Sequence, residues 1–560
     1  MGIATTREFD RVASSLGLVE EATPIFHHAD NVCNAGVLFL IPALLSQGLL
    51  KATDIYARLR KGYYGFVSIL LVLAFMFLSR IKCPEQLKTC KVGELGKLLG
   101  LDRVPEAKCL RYKIEQIVNQ NKAMVLSQAL SQEWIEAEVP LFFYIDGHVR
   151  VYHGYQANLT KRYVSREKLC LAGTTEFWVN NELGMPYLVV FSELNEKLKT
   201  VILEQVVPAL LRDTASYVSE DELQKDKELA RFTLVFDREG YDVAFFKQLW
   251  NDYRIAVLTY RKAVKDVWPE SDFEDCTTTV IAKNVTMKLC EKPFETNGFA
   301  LREIRRRSEN NHQTSIVTTL PKVSMEVLAG KMFSRWSQEN FFRYMVQDFD
   351  LDRMAEYGIE EVNQELEVVN PSYKNITYRL KKLREKERRL KAKLYAVIEE
   401  NLNTDIDTLK DILHEQGKMQ ESISAYERDI KDLCEERKQT PYYIKVKDMP
   451  EKSQYNKLKT ESKLFMNTIR MIAYRAETVV ANLLTPYYCK SAVEIRMLVK
   501  EIIKSDADMI PDYEENTLTI RLHSLSTPRA NRAARELCSI LNDTETLYPG
   551  TNLRLAYETV

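Results

Sequence analysis

The chain has 560 residues, 45% hydrophobic and 28% charged, which makes it too long for one core and too apolar to be disordered. Its 78 Lys and Arg against 79 Asp and Glu give a formal net charge of -1, so nucleic acid can be met only through local basic patches. The ten cysteines, at 33, 83, 90, 109, 170, 276, 290, 434, 489 and 538, form neither a C-x-x-C pair nor a Cys/His cluster, which excludes a structural zinc site and fits reduced thiols.

Residues 1–137 read as a helical domain, with apolar positions at three- and four-residue spacing and no alternating strand pattern. Two apolar runs, Gly36–Leu50 with Pro42 inside it and the uncharged Tyr63–Ser79, fall short of the about 20 residues that a membrane span needs. Buried helices are therefore expected, and no membrane partner. Within 92–118, Val92–Leu99, a Gly100-Leu101-Asp102 break and Pro105–Val118 predict two short helices around a glycine turn. That pattern suits a DNA-reading helix-turn-helix, with Arg111 and Lys113 as contacts, and equally an ordinary helical hairpin.

Residues 138–262 alternate strand and helix signals. Strands are expected at Leu141–Asp146, Val149–Tyr155, Pro186–Ser192, Phe232–Asp237 and Ile255–Tyr260, with helices at Leu198–Leu211 and Val243–Tyr253. The order β-β-β-α-β-α-β predicts an α/β core with a mixed five-stranded sheet. Polar alternation over 263–322 predicts a β insertion, and 323–350 returns to helical periodicity. From 351 to 475 the chain is charged and helical, and Tyr373, Ile376, Leu380, Leu383, Leu390, Leu394 and Val397 fall on a heptad, the signature of a helical arm through which a homodimer is expected. Residues 476–560 read as a small α+β region.

Two strand ends carry the chemistry. FFYIDGH places Asp146, and TLVFDREGY places Asp237, each as the first charge after an apolar run. In such sheets reactive groups gather beyond the carboxyl ends of neighbouring strands, although Asp-Gly is also a common turn. Helical spacing puts a third carboxylate, Glu339, among Met332, Trp336, Phe342 and Val346, a costly place for an unpaired charge that a metal would relieve. The competing reading is a surface ladder of Arg335, Glu339 and Arg343 at i, i+4 and i+8. Arg302, Arg305, Arg306 and Arg307 form a basic cluster that suits DNA backbone or a solvated face, and 379–393 reads as a solvated basic helix.

In this order, IDGH…FDREGY…SRWSQENFF resembles bacterial insertion-sequence DDE transposases, in which an RNase H-like catalytic domain is interrupted by a β insertion ahead of the glutamate helix. The resemblance covers about 138–350 and extends more weakly to ADNVCNAGVLFLIPALL and GELGKLLGLDRV at the head, and to MIAYRAETVVANLL and YPGTNLRLAYE at the tail. It implies that Asp146, Asp237 and Glu339 are catalytic and metal-binding, with Arg335 as the arginine one turn before the glutamate. This chain has Met332 where that group often has Tyr and Val346 where it often has Lys, leaving Arg343 as the nearest substitute for phosphate contact. A set of oxygen ligands implies two Mg²⁺ ions, with Mn²⁺ as a substitute. The implied function is cleavage at mobile-element ends and strand transfer into target double-stranded DNA, by a cytoplasmic, nucleoid-associated enzyme. The alternatives are a metal-dependent nuclease that does not join ends, and a decayed DNA-binding relative.

Overall fold

A helix that is apolar on every side is stable only when it is wrapped on every side. Phe66–Leu78 is such a helix, buried throughout from Ser68 to Leu78. Its wrapping comes from the far end of the chain, in the 28-residue helix Glu461–Tyr488. The computed structural model describes residues 7–164, 166–192, 194, 196–353, 358–400, 406–450 and 454–560, leaving aside the side chains of 398–400 and 406–412. Among the described residues no helix is long and apolar enough to cross a membrane.

The expected helical domain 1–137 is not a unit of its own. Its strand Ala29–Val32 (β1) pairs with a strand near residue 510, and its helices share one hydrophobic core with residues 461–557. The approach is close enough that a Cβ added to Gly36 would stand 1.8 Å from the carbonyl oxygen of Ile502. The two helices expected around Gly100 form at Val92–Lys97 and Ala107–Val118, with Gly100 in the left-handed region at the turn.

The central sheet is built from Phe142–Val151 (β2), Lys161–Val164 (β3), Leu169–Asn180 (β4), Pro186–Ser192 (β5), Thr233–Phe236 (β6) and Ala256–Tyr260 (β7). β5 and β2 flank β4 antiparallel, β6 runs parallel to β2, and β7 parallel to β6. Val149–Tyr155 is not the second strand expected from the sequence, because Val149–Val151 continue β2. β2 runs through Asp146-Gly147 without a turn because β4 stays paired across it, and the ring of Phe177 comes within 2.9 Å of where a Cβ on Gly147 would stand. The strand that pairs antiparallel with β2 is β4.

The polar strands Glu274–Val280 (β8), Lys283–Thr296 (β9), Phe299–Arg307 (β10) and Gln313–Thr318 (β11) are likewise no separate insertion. β11 pairs with β7, so all four continue the same ten-stranded sheet. The expected single helix over 323–350 is two, Met325–Phe333 and Trp336–Phe349, broken at Ser334-Arg335.

The arm stands on two small ribbons. Ile359–Glu361 (β12) and Glu367–Val369 (β13) pair with the returning strands Asn456–Leu458 (β15) and Tyr443–Lys445 (β14). Between them Pro371–Glu400 and Ile406–Gln439 pack side by side. Ile376 and Leu380 bury against Leu433, so the heptad seam is filled within the chain at its base. Glu387, at the polar core position, is paired with Lys391, which also reaches Glu427 on the returning helix.

The expected boundary at 475/476 falls inside Glu461–Tyr488 and does not exist in the structure. Beyond that helix, Ala507–Asp512 (β16), Thr517–Leu522 (β17) and Arg554–Thr559 (β18) form a second sheet of order β1-β16-β17-β18.

Candidate active site

Ile145 of β2 is in register with Phe236 of the parallel strand β6. The next residues, Asp146 and Asp237, therefore leave neighbouring strands side by side and on the same face, about 4.8 Å apart in the strand-to-strand direction. Asp146 accepts a hydrogen bond from the Gly147 N–H at 2.9 Å, and Asp237 one from the Arg238 N–H at 2.7 Å, which opens a turn at Arg238–Gly240.

Glu339 reaches the same mouth from the first turn of Trp336–Phe349. Its link is Arg335, whose Nη1 lies 3.3 Å from Asp146 Oδ2 and whose Nη2 lies 3.6 Å from Glu339 Oε1. Tyr260, at the end of β7, faces Arg335 and feels the charges of Asp237 and Glu339. The proton affinity of Asp146 is set chiefly by its burial. Burial raises it, Arg335 and the Gly147 N–H oppose this, and Asp237 and Glu339 raise it further, so its pKa is pushed up to about 6.

The setting of Glu339 differs from the expectation of an apolar face. The break at Ser334-Arg335 puts Met332 in the preceding helix, Trp336 is 57% exposed, and Glu339 itself is exposed. Position is fixed instead by residues that the sequence reading missed. Gln338 donates from Nε2 to the Tyr144 carbonyl oxygen at 2.5 Å, and the Tyr144 hydroxyl donates to the Lys331 carbonyl oxygen at 2.8 Å, so β2 grips both helices. His148 stacks on Phe342 with ring centroids 5.1 Å apart and holds Asp352 at 2.6 Å. The signal was present in FFYIDGH, since His148 shares the strand face of Asp146.

A family model described as "Transposase protein" matches residues 2–560. The chain belongs to this transposase family. No curated protein matches it. Among solved structures it is similar to a piggyBac transposase, seen by cryo-electron microscopy as a synaptic complex with hairpin DNA, at 9% identity and a TM-score of 0.28. That match covers 57% of this chain and 66% of the other, just under two thirds.

Among the described residues of the transposase, no three His, Cys, Asp or Glu side chains stand close enough to hold one metal ion as placed. Of the basic residues read from the sequence, several are engaged inside the protein. Lys113 is buried and donates to the Arg60 carbonyl oxygen at 2.8 Å, so it is not a DNA contact. Arg305 is fully buried, paired with Glu303 and Asp266, because strand alternation turns it inward and a buried guanidinium needs carboxylates. Arg302 is held by Glu291, Arg307 by Glu270, and the exposed Arg111 by Glu85. Arg306 lies over the Phe333 ring at 4.9 Å. Arg343 is exposed on the glutamate helix, and among the described residues it closes no ion pair.

The raised pKa of Asp146 has a consequence for stability. The folded transposase holds this proton more tightly than the unfolded chain, so the contribution is complete below the ordinary value of 3.8 and is lost as pH rises through about 6. Asp146→Asn is therefore expected to stabilise the metal-free protein by about 1–3 kcal/mol at pH 8 and by much less at pH 4. Urea melts of both proteins at the two pH values measure this; a difference independent of pH would contradict it.

Proposed function

We propose that this transposase cuts DNA at the ends of a mobile element and joins them to a target, using Asp146, Asp237 and Glu339 to hold two divalent cations, Mg²⁺ or in its place Mn²⁺. The observation that carries the reading is the equal register of Asp146 and Asp237 on adjacent parallel strands, with Glu339 tied to Asp146 through Arg335. The strand order β5-β4-β2-β6-β7, antiparallel and then parallel, supports an RNase H-like core.

The donor set fits hard cations. It offers carboxylate oxygens alone, and burial, with a smaller push from Asp237 and Glu339, raises the proton affinity of Asp146. Arg335 now answers the charge of Asp146 and Glu339, so a cation competes with it for both. When bound, divalent cations supply activation of water or a DNA 3′-hydroxyl and stabilisation of the leaving oxygen. The chain's own part is to fix the carboxylates on rigid strands and to present arginine to phosphate: Arg335 once released, and Arg343 already exposed. Double-stranded DNA is the proposed partner. Because the base of the arm's seam is filled within the chain, a homodimer on DNA would use other surfaces.

The test is to incubate the protein with a duplex carrying the ends of the DNA segment that encodes it. Nicking and transfer of the 3′ ends into a second duplex should require Mg²⁺ or Mn²⁺ and stop with a chelator. Cleavage without added metal would overturn the reading, and cutting without joining would leave a nuclease.

A further inference from the structure

A second pocket is built unlike the carboxylate mouth. Where β2, β3, β4 and β5 meet the segment 456–460 there is a cavity of about 160 Å³, lined among others by Arg150, Thr160, Arg162, Thr174, Ser192 and Gln205. No Asp or Glu is among the described residues that line it.

Its two arginines are under-partnered. The Arg150 side chain is 5% exposed, and its Nε has no hydrogen-bond acceptor. The nearest carboxylate, Glu176, stands 3.7 Å from it and is shared with Lys463. Arg162 donates from Nη2 to Ser192 Oγ at 3.1 Å, its buried Nε has no acceptor, and it closes no ion pair among the described residues. Glu196 and Glu239 support its charge only in part, and burial pulls its pKa down to about 10. The buried hydroxyl of Thr160 also lacks a partner. Guanidinium groups sequestered with so little counter-charge are costly, and the cost falls when an anion enters.

We propose that this cavity binds a phosphate group, gripped by the guanidinium of Arg162 with Arg150 behind it and the hydroxyls of Thr160 and Ser192 as further donors. The planar fork of arginine matches a tetrahedral oxyanion through paired N–H donors, and hydroxyls adapt to the remaining oxygens. The phosphate comes either from a DNA backbone or from free phosphate. Neither source depends on the carboxylates being catalytic.

The experiment uses the full chain and two probes. With inorganic phosphate, against chloride at equal ionic strength, the melting temperature of the wild type should rise to saturation and the ³¹P line should broaden; Arg162→Met should lose both. With duplex DNA, a backbone phosphate in the cavity predicts that Arg162→Met weakens binding alike on all sequences and reduces the salt slope by about 1. Loss of the phosphate effect with unchanged DNA binding assigns the site to free phosphate. If Arg162→Met fails to fold, Ser192→Ala replaces it, with several-fold weaker phosphate or DNA binding expected. Wild-type responses to both probes that survive these substitutions, or no response to inorganic phosphate together with undiminished DNA binding in the variant, would overturn the proposal.

Discussion

If Asp146 holds a cation as proposed, Asp146→Asn is expected to lower metal-dependent DNA cleavage by about 10³-fold or more, since it would remove a charged ligand at the point where charge develops in the reaction. The substitution keeps the shape of the side chain, and the Asn oxygen can still accept from the Gly147 N–H. Its removal also frees Arg335 from one of its two carboxylates. The fold should therefore survive while activity does not. Single-turnover cleavage beside a thermal melt separates the two. Undiminished cleavage would remove Asp146 from the site and with it the proposed chemistry.

The second large effect is on stability. Glu176 of β4 is fully buried, 3.7 Å from both Arg150 and Lys463, and accepts from Asn467 at 3.1 Å. Its carboxyl is held below the ordinary range: burial pushes it up, and Lys463, Arg150, His148 and Asn467 together outweigh that. Glu176→Gln leaves two buried cations facing a neutral amide, and the expected cost is about 3–5 kcal/mol in urea unfolding. Lys463 lowers part of the burden by shedding its proton, since burial pulls its pKa down to about 7. A loss under about 1 kcal/mol would show that this network does not hold the long helix to the sheet.

The strands that carry the two aspartates were legible because each is a short apolar run ending in one charge, a pattern set by neighbours a few residues away. β5 was legible for the same reason. β4 was not, because its first half, Leu169–Thr175, carries Gly173 and polar residues on a lightly buried edge. Nor was the union of the head with the tail. β1 pairs with β16 across more than four hundred residues, with Val32 opposite Ala507, and a contact of that range leaves no local periodicity. Buried charges were missed for a related reason: Lys113 and Arg305 look like surface groups until the partners that permit their burial are placed beside them. The helix that carries Glu339 was legible, but its later start was not, because the break at Ser334-Arg335 contains neither Gly nor Pro.

The pairing of β1 with β16 has a further consequence for how the chain is made. Domains generally close as they emerge during synthesis, yet the head of this one must wait, with its apolar helices uncovered, until residues 507–559 have been translated. A message cut short before that point yields a head that cannot shut, so truncated copies of the gene are expected to produce chaperone clients and aggregates, and no folded competitor of the full-length transposase.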